Sequence, residues 1–382
     1  MAGLGDTVAD LARYRRWAAG ARRTDRRDAG SAASLTETDS FGPNPGDLRM
    51  LSYAPRDLAA GAPLIVVLHG CTQSAQAYAE GAGWIELADR HGMVLLCPEQ
   101  AMTNNPNRCF NWFQPEDTRR GSGEAESIRQ MIRQIVHEHA IDPARIFVTG
   151  LSAGGAMTMV MLAAYPEVFA GGAVIAGLPY GAASNVQEAL SAMFQGRSRS
   201  PDAWGDLVRE ASHHDGPWPR LAIWHGDADT TVRPSTADEI AKQWADVCGL
   251  PVQPTFTNQY SGFKRSVWKT KGGASAVELN LIAGLGHGTP ITTSGPDGCG
   301  RAGPYLLEAG VSSSVEALRF WGLQADLGLA DQPQQAQQPR TAAARPDLRP
   351  RKPVDLPLSP EKFVTGVEQV ITRALAAAGL MK

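Results

Sequence analysis

Residues 148–157 read VTGLSAGGAM, and this stretch decides how the rest of the chain is read. The run Ile146, Phe147, Val148, Thr149 predicts a strand that stops at Gly150, and an apolar helical pattern starts at Ala153 and continues to Tyr165. Only Leu151 and Ser152 lie between them. A strand reversing into a helix this sharply forces its turn residue into a strained backbone conformation and leaves no room for side chains beside it. Gly150, Ala153, Gly154 and Gly155 clear that space, and Gly150, Ser152 and Gly154 complete the pattern G-x-S-x-G. Such a turn holds a serine hydroxyl exposed at the carboxyl edge of a sheet, with the Ala153 N–H and the helix dipole behind it to receive a negative oxygen.

The pattern extends outward in both directions. Leu64–Leu68, Val94–Cys97, Ala173–Ala176, Leu221–Trp224 and Val277–Ile282 are short apolar runs of the kind buried on both faces of a parallel sheet. Helical periodicity separates them at Trp84–His91, Glu124–His139, Thr236–Val247 and Ser314–Trp321. Strand and helix in alternation predict a mostly parallel, doubly wound α/β domain over about residues 45–323, with helices on both faces. Residues 178–220 break the rhythm with Tyr180, Met193, Phe194, Trp204 and Trp218, and read as a cap-like insertion at the end of a strand.

A serine hydroxyl needs a base to take its proton, and the base needs a carboxylate to orient it. In the α/β-hydrolase arrangement these follow the serine in the order acid, then histidine. The run WHGDADTTV, 224–232, offers Asp229 as the acid, with Asp227 as the alternative that caps the turn. His287 is the base, flanked by Gly286 and Gly288, which are expected to let its loop approach Ser152. The loop LHGCTQ, 68–73, supplies the second oxyanion donor, the N–H of Cys71 or else that of Thr72. Asn111, Trp112 and Phe113 are candidates for a substrate wall, a role that core packing would equally explain. His69 and His225 are expected to order the loops they precede, and His137 with His139 lacks the spacing of a zinc pair. No metal or other cofactor is implied.

The 382 residues are 43% hydrophobic and 20% charged, with a formal charge of -3, which gives no reason to expect a nucleic acid partner. No apolar stretch approaches the ~20 residues of a bilayer span, and no secretory leader is recognisable, which points to the cytoplasm. Residues 1–44 read as a basic arm or helix carrying Arg13, Arg15, Arg16, Arg22, Arg23, Arg26 and Arg27. Residues 324–358 are rich in Gln, Pro and Arg and read as a disordered linker. Residues 359–382 then predict an amphipathic helix, capped by Ser359 and Pro360, with Phe363, Val367, Val370, Ala374 and Ala378 on one face. That face must dock on the main body, on a partner or on a hydrophobic surface such as a storage granule. Of the five cysteines, Cys97 reads as buried and inert. Cys71 with Cys109, and Cys248 with Cys299, are conceivable bridges, against a default of free thiols.

LHGCTQ, CPEQ (97–100), NRCFNWF (107–113), VTGLSAGGAM, WHGDADTTV and GLGHGTP (284–290), in this order, resemble the poly(3-hydroxybutyrate) depolymerase family of esterases, which is related to feruloyl and acetylxylan esterases. The resemblance spans roughly residues 45–323. It implies a serine esterase with a Ser152, Asp229, His287 triad, oxyanion amides at Cys71 and Ala153, substrate contact at Trp112, and a bridge between Cys71 and Cys109. The implied substrates are hydroxyalkanoate oligomers or polymer, with feruloyl or acetylxylan groups as the alternative and an extracellular place of action. A granule-binding scaffold that keeps a hydrolase body is the reading from a different class.

Overall fold

The computed structural model describes residues 34–324. Residues 1–33 of the expected basic arm, the expected linker from 325 onward and the expected helix at 359–382 lie outside them. The strands are β1 (Thr36–Thr38), β2 (Arg49–Tyr53), β3 (Leu64–Leu68), β4 (Val94–Glu99), β5 (Ile146–Leu151), β6 (Gly171–Ile175), β7 (Arg220–Gly226), β8 (Phe256–Gln259), β9 (Phe263–Lys269), β10 (Ser275–Ile282), β11 (Thr289–Ile291) and β12 (Leu306–Glu308). The helices are α1 (Ala75–Gly81), α2 (Trp84–His91), α3 (Pro115–Thr118), α4 (Gly123–His139), α5 (Ala153–Ala164), α6 (Val186–Gln195), α7 (Pro201–Ser212), α8 (Ser235–Val247) and α9 (Ser313–Trp321).

Ten strands form one sheet in the order β1-β2-β4-β3-β5-β6-β7-β10-β9-β8. The six from β4 to β10 in that order run parallel, and the two at each edge pair antiparallel. β11 and β12 make a separate parallel pair. The antiparallel edge strands escape sequence reading because they are short and polar, as in Thr36–Thr38 and Phe256–Gln259. β1 lies ahead of residue 45, so the sheet begins inside the segment read as an arm.

The five residues of β3 show why the core has two halves. Leu64, Val66 and Leu68 pack with α4, α5, α7 and α8 on one face, whereas Ile65 and Val67 pack with α1, α2 and α9 on the other. α5 is buried along its whole length, as its AGGAMTMVMLAA sequence requires. The 178–220 segment forms α6 and α7. Ser200 caps α7 by accepting from the Ala203 N–H, Pro201 opens it, and Trp204 is buried with its indole N–H donating to Glu239 of α8 at 2.6 Å. Part of this segment therefore serves as the helical layer between β6 and β7.

The register carries one row straight across the sheet, through Leu68, Gly150, Val174, Ile223 and Leu279. Every loop that leaves a parallel strand beyond this row emerges at the same edge. Adjacent strands lie about 4.8 Å apart, so loops after β7 and β10 start roughly 10 and 14 Å from β5.

Candidate active site

Ser152 stands between β5 and α5 with φ 57° and ψ -114°, a conformation costing about 1–3 kcal/mol that surrounding packing must impose. The glycines show how. A Cβ on Gly154 would lie 2.2 Å from the Leu68 carbonyl oxygen and 2.6 Å from that of His69, and one on Gly150 would lie 2.4 Å from the Gly154 carbonyl. A Cβ on Gly155 would lie 2.9 Å from the Ile175 oxygen. The start of α5 is thus pressed against the end of β3, and the Ser152 N–H is tied to the Ile175 carbonyl at 2.9 Å. At the first turn of α5 the Ala153 N–H has no intrahelical acceptor.

The end of β3 carries the neighbouring turn. There the Gly70 N–H donates to the Gln73 side chain at 2.8 Å, Thr72 N–H to the Asn107 carbonyl at 2.7 Å and Gln73 N–H to the Gly70 carbonyl at 3.3 Å. Of these four successive amides, only that of Cys71 has no acceptor among the described residues. That assigns the spare amide to Cys71 and commits that of Thr72. Gly70 packs on the Leu151 side chain, which sets this turn beside the serine. Cys71 is joined to Cys109 by a disulfide with Cα atoms 4.3 Å apart. The other conceivable bridge does not form: Cys248 and Cys299 are free, one at the end of α8 and the other buried beside Ser312.

The acid loop after β7 and the histidine loop after β10 are laced together. Asp227 N–H donates to the Ile282 carbonyl and Ala228 N–H to that of Leu285, while the Gly284 N–H donates to the Asp227 carboxylate at 2.6 Å. A Cβ on Gly226 would lie 2.1 Å from the Leu285 oxygen, so a glycine is needed there. Gly286, expected to permit close approach, would meet nothing within 4 Å, and Gly288 packs on Tyr305 and Leu307. The tight contact in this loop is therefore made from the acid side.

Asp229, 4% exposed, accepts on one oxygen from the Thr231 and Val232 N–H groups at 2.8 and 2.9 Å. Its other oxygen lies 2.7 Å from His287 Nδ1 and 3.3 Å from His225 Nε2. Burial would raise the carboxyl pKa, but the hydrogen bonds of His225 and His287 outweigh it and hold Asp229 well below the usual carboxylate range. A carboxylate only accepts, so His287 Nδ1 carries the proton and Nε2 presents its lone pair. Asp227 is exposed and makes no hydrogen bond to His287 among the described residues. His225 is buried, donates from Nε2 to the Val232 carbonyl at 2.9 Å, and leaves Nδ1 without a partner.

Trp112 packs in the core, edge-on to Phe113 at 5.5 Å, and is only 7% exposed, leaving Phe113 the more open of the two. Beneath them lies Glu124, a buried carboxylate that the sequence reading passed over. It accepts from the Asn111 N–H at 2.8 Å and from the Gln100 side chain at 2.5 Å.

The sequence profile described as "Esterase PHB depolymerase" matches residues 50–259, more than half of the chain. The chain belongs to this family. As a PHB depolymerase-family esterase it is a carboxylic ester hydrolase with the α/β-hydrolase fold. Over 295 residues it is 45% identical to poly(3-hydroxyalkanoate) depolymerase C of Paucimonas lemoignei, covering 77% of this esterase and 71% of that protein. It is 34% identical over 270 residues to feruloyl esterase B of Thermothelomyces thermophilus, covering 69% and 90% of the two chains. Among solved structures, acetyl xylan esterase from Aspergillus awamori shares its fold with a TM-score of 0.65, at 24% identity over 76% of this esterase and all of that chain.

Proposed function

We propose that this esterase hydrolyses hydroxyalkanoate oligomers or polymer through an acyl-enzyme on Ser152. His287 Nε2 takes the serine proton as Ser152 attacks the ester carbonyl, then returns it to the departing alcohol. Asp229 fixes the tautomer and stabilises the imidazolium, and the Cys71 and Ala153 amides receive the oxyanion. Water repeats the sequence and frees the acid. The observation that carries this reading is the 2.7 Å bond between Asp229 and His287 Nδ1, at the sheet edge that also holds the strained Ser152 turn. The higher identity to a polyhydroxyalkanoate depolymerase than to a feruloyl esterase supports the choice of substrate.

Ser152→Ala should reduce turnover of p-nitrophenyl butyrate by orders of magnitude in a folded protein. Retained turnover would remove the serine from the mechanism. A panel of 3-hydroxybutyrate oligomers, methyl ferulate and acetylated xylan then ranks the substrates, and preference for either of the last two would replace hydroxyalkanoates with the carbohydrate-linked alternative. Binding to a hydrophobic granule through residues 359–382 belongs to the same proposal. Co-sedimentation with granules should disappear when those residues are deleted while esterase activity persists, and unchanged sedimentation would dismiss it.

A further inference from the structure

We propose that Glu124 is a positioning residue for the oxyanion turn, acting through Gln100 and His69. The inference rests on the assignment of the Cys71 amide as an oxyanion donor. Glu124 lies in the first turn of α4, fully buried, and no lysine, arginine or histidine pairs with it among the described residues. Burial, then the nearby Asp117 carboxylate, push its pKa well above the ordinary range. A lone buried acid is a liability for stability, and such groups persist where their hydrogen bonds fix one arrangement of the chain.

The bonds of Glu124 reach that arrangement through two residues. Its carboxylate accepts from the Gln100 side-chain amide, which also donates to the Cys109 carbonyl at 3.0 Å. The Gln100 backbone N–H donates to His69 Nε2 at 3.2 Å. His69 Nε2 is thus the acceptor, so Nδ1 carries the proton and donates to the Gly70 carbonyl at 2.8 Å. The Gly70 carbonyl belongs to the peptide unit whose N–H is that of Cys71, so the orientation of this plane sets where the amide points. The second carboxylate oxygen holds the Asn111 N–H, next to Trp112 in the chain. Asn104 braces the joint by donating to the Gln100 side-chain oxygen at 2.8 Å.

Glu124→Gln keeps the shape but places an amide N–H2 against either the Gln100 N–H2 or the Asn111 N–H, so one bond must break. A misdirected oxyanion donor weakens the transition state and leaves ground-state binding alone. The expected result is a fall in kcat of about 10- to 50-fold, below the 10²–10³ of outright donor loss, with KM within about twofold. The inhibition constant of an alkylboronic acid, whose tetrahedral serine adduct places an oxygen in the same hole, should rise by the same factor. A purely structural role would lower the melting temperature without moving kcat and the boronate constant together. Asn104→Ala, a milder change, should shift both by about threefold in parallel.

Unchanged kcat and boronate affinity in folded Glu124→Gln would overturn the inference, as would a rise in KM alone. Should Glu124→Gln fail to fold, an unchanged Asn104→Ala would overturn it equally. If Ser152→Ala is inactive while Glu124→Gln behaves as wild type, only this inference fails; an active Ser152→Ala removes the reading of the site beneath it.

Discussion

Replacing Asp229 by Asn tests the proposed relay at its best-defined contact. One oxygen of Asp229 receives two backbone N–H groups, from Thr231 and Val232, and the other faces His287 Nδ1. An asparagine must keep its oxygen on the backbone side, since the reverse orientation would set its N–H2 against two fixed donors. Its amide group then faces His287 and donates to Nδ1, which moves the imidazole proton to Nε2, the atom needed as base. In a serine triad that inversion lowers kcat by about 10⁴-fold, or about 5.4 kcal/mol at 1.36 kcal/mol per decade. Asp227 gives a built-in comparison. Its carboxylate accepts one bond, from the Gly284 N–H, which the amide oxygen of an asparagine at that position can still accept. Loss of its charge should then cost about 1 kcal/mol, or roughly fivefold. The two variants, assayed for kcat and KM on p-nitrophenyl butyrate after circular dichroism confirms their folding, should differ by about 10³-fold in kcat with similar KM. If Asp227→Asn loses more activity than Asp229→Asn, or if Asp229→Asn keeps more than about a tenth, the tautomer argument fails.

Gly154→Ala drives a Cβ into the Leu68 and His69 carbonyls and should destabilise by about 3 kcal/mol or prevent folding, whereas Gly286→Ala meets open space and should stay within ~0.5 kcal/mol by urea denaturation. Acid titration of stability should separate two buried carboxylates by sign. Asp229 has a depressed folded pKa, so its contribution is present above the unfolded value of about 3.9 and is lost as pH falls through the folded value. Glu124 has a raised folded pKa, so the stability of the wild type relative to Glu124→Gln should fall as pH rises above about 4.3, and a shared sign would refute the assignment. Thiol titration of the denatured, unreduced protein should find Cys97, Cys248 and Cys299, with Cys71 and Cys109 appearing only after reduction. In the native state Cys248, its thiol pushed up to about 12 by burial, should react slowly.

Much of the site was legible in the chain itself. G-x-S-x-G between a strand and a helix fixes Ser152, because backbone collision leaves few residues able to occupy positions 150, 154 and 155. The almost wholly apolar runs of β3 and β5 announce burial on both faces, since a strand covered on both sides has little room for polar side chains. The order of acid and histidine narrowed the remaining partners to two aspartates and His287. The turn favoured Asp229 and left Asp227 as the alternative, but nothing local tied either carboxylate to His287. Folding decides by pairing β7 with β10, which brings the 283–287 loop over the acid loop and gives Asp229 the imidazole and Asp227 the Gly284 amide. The spare amide at Cys71 required tertiary structure too, since its neighbour Thr72 is committed by Asn107, thirty-five positions later in the chain. Glu124 shows the same division. A helix N-terminus commonly carries an acid, and only the packing of β3, β4 and α4 turns this one inward, where the 100–114 loop supplies the hydrogen bonds that solvent cannot.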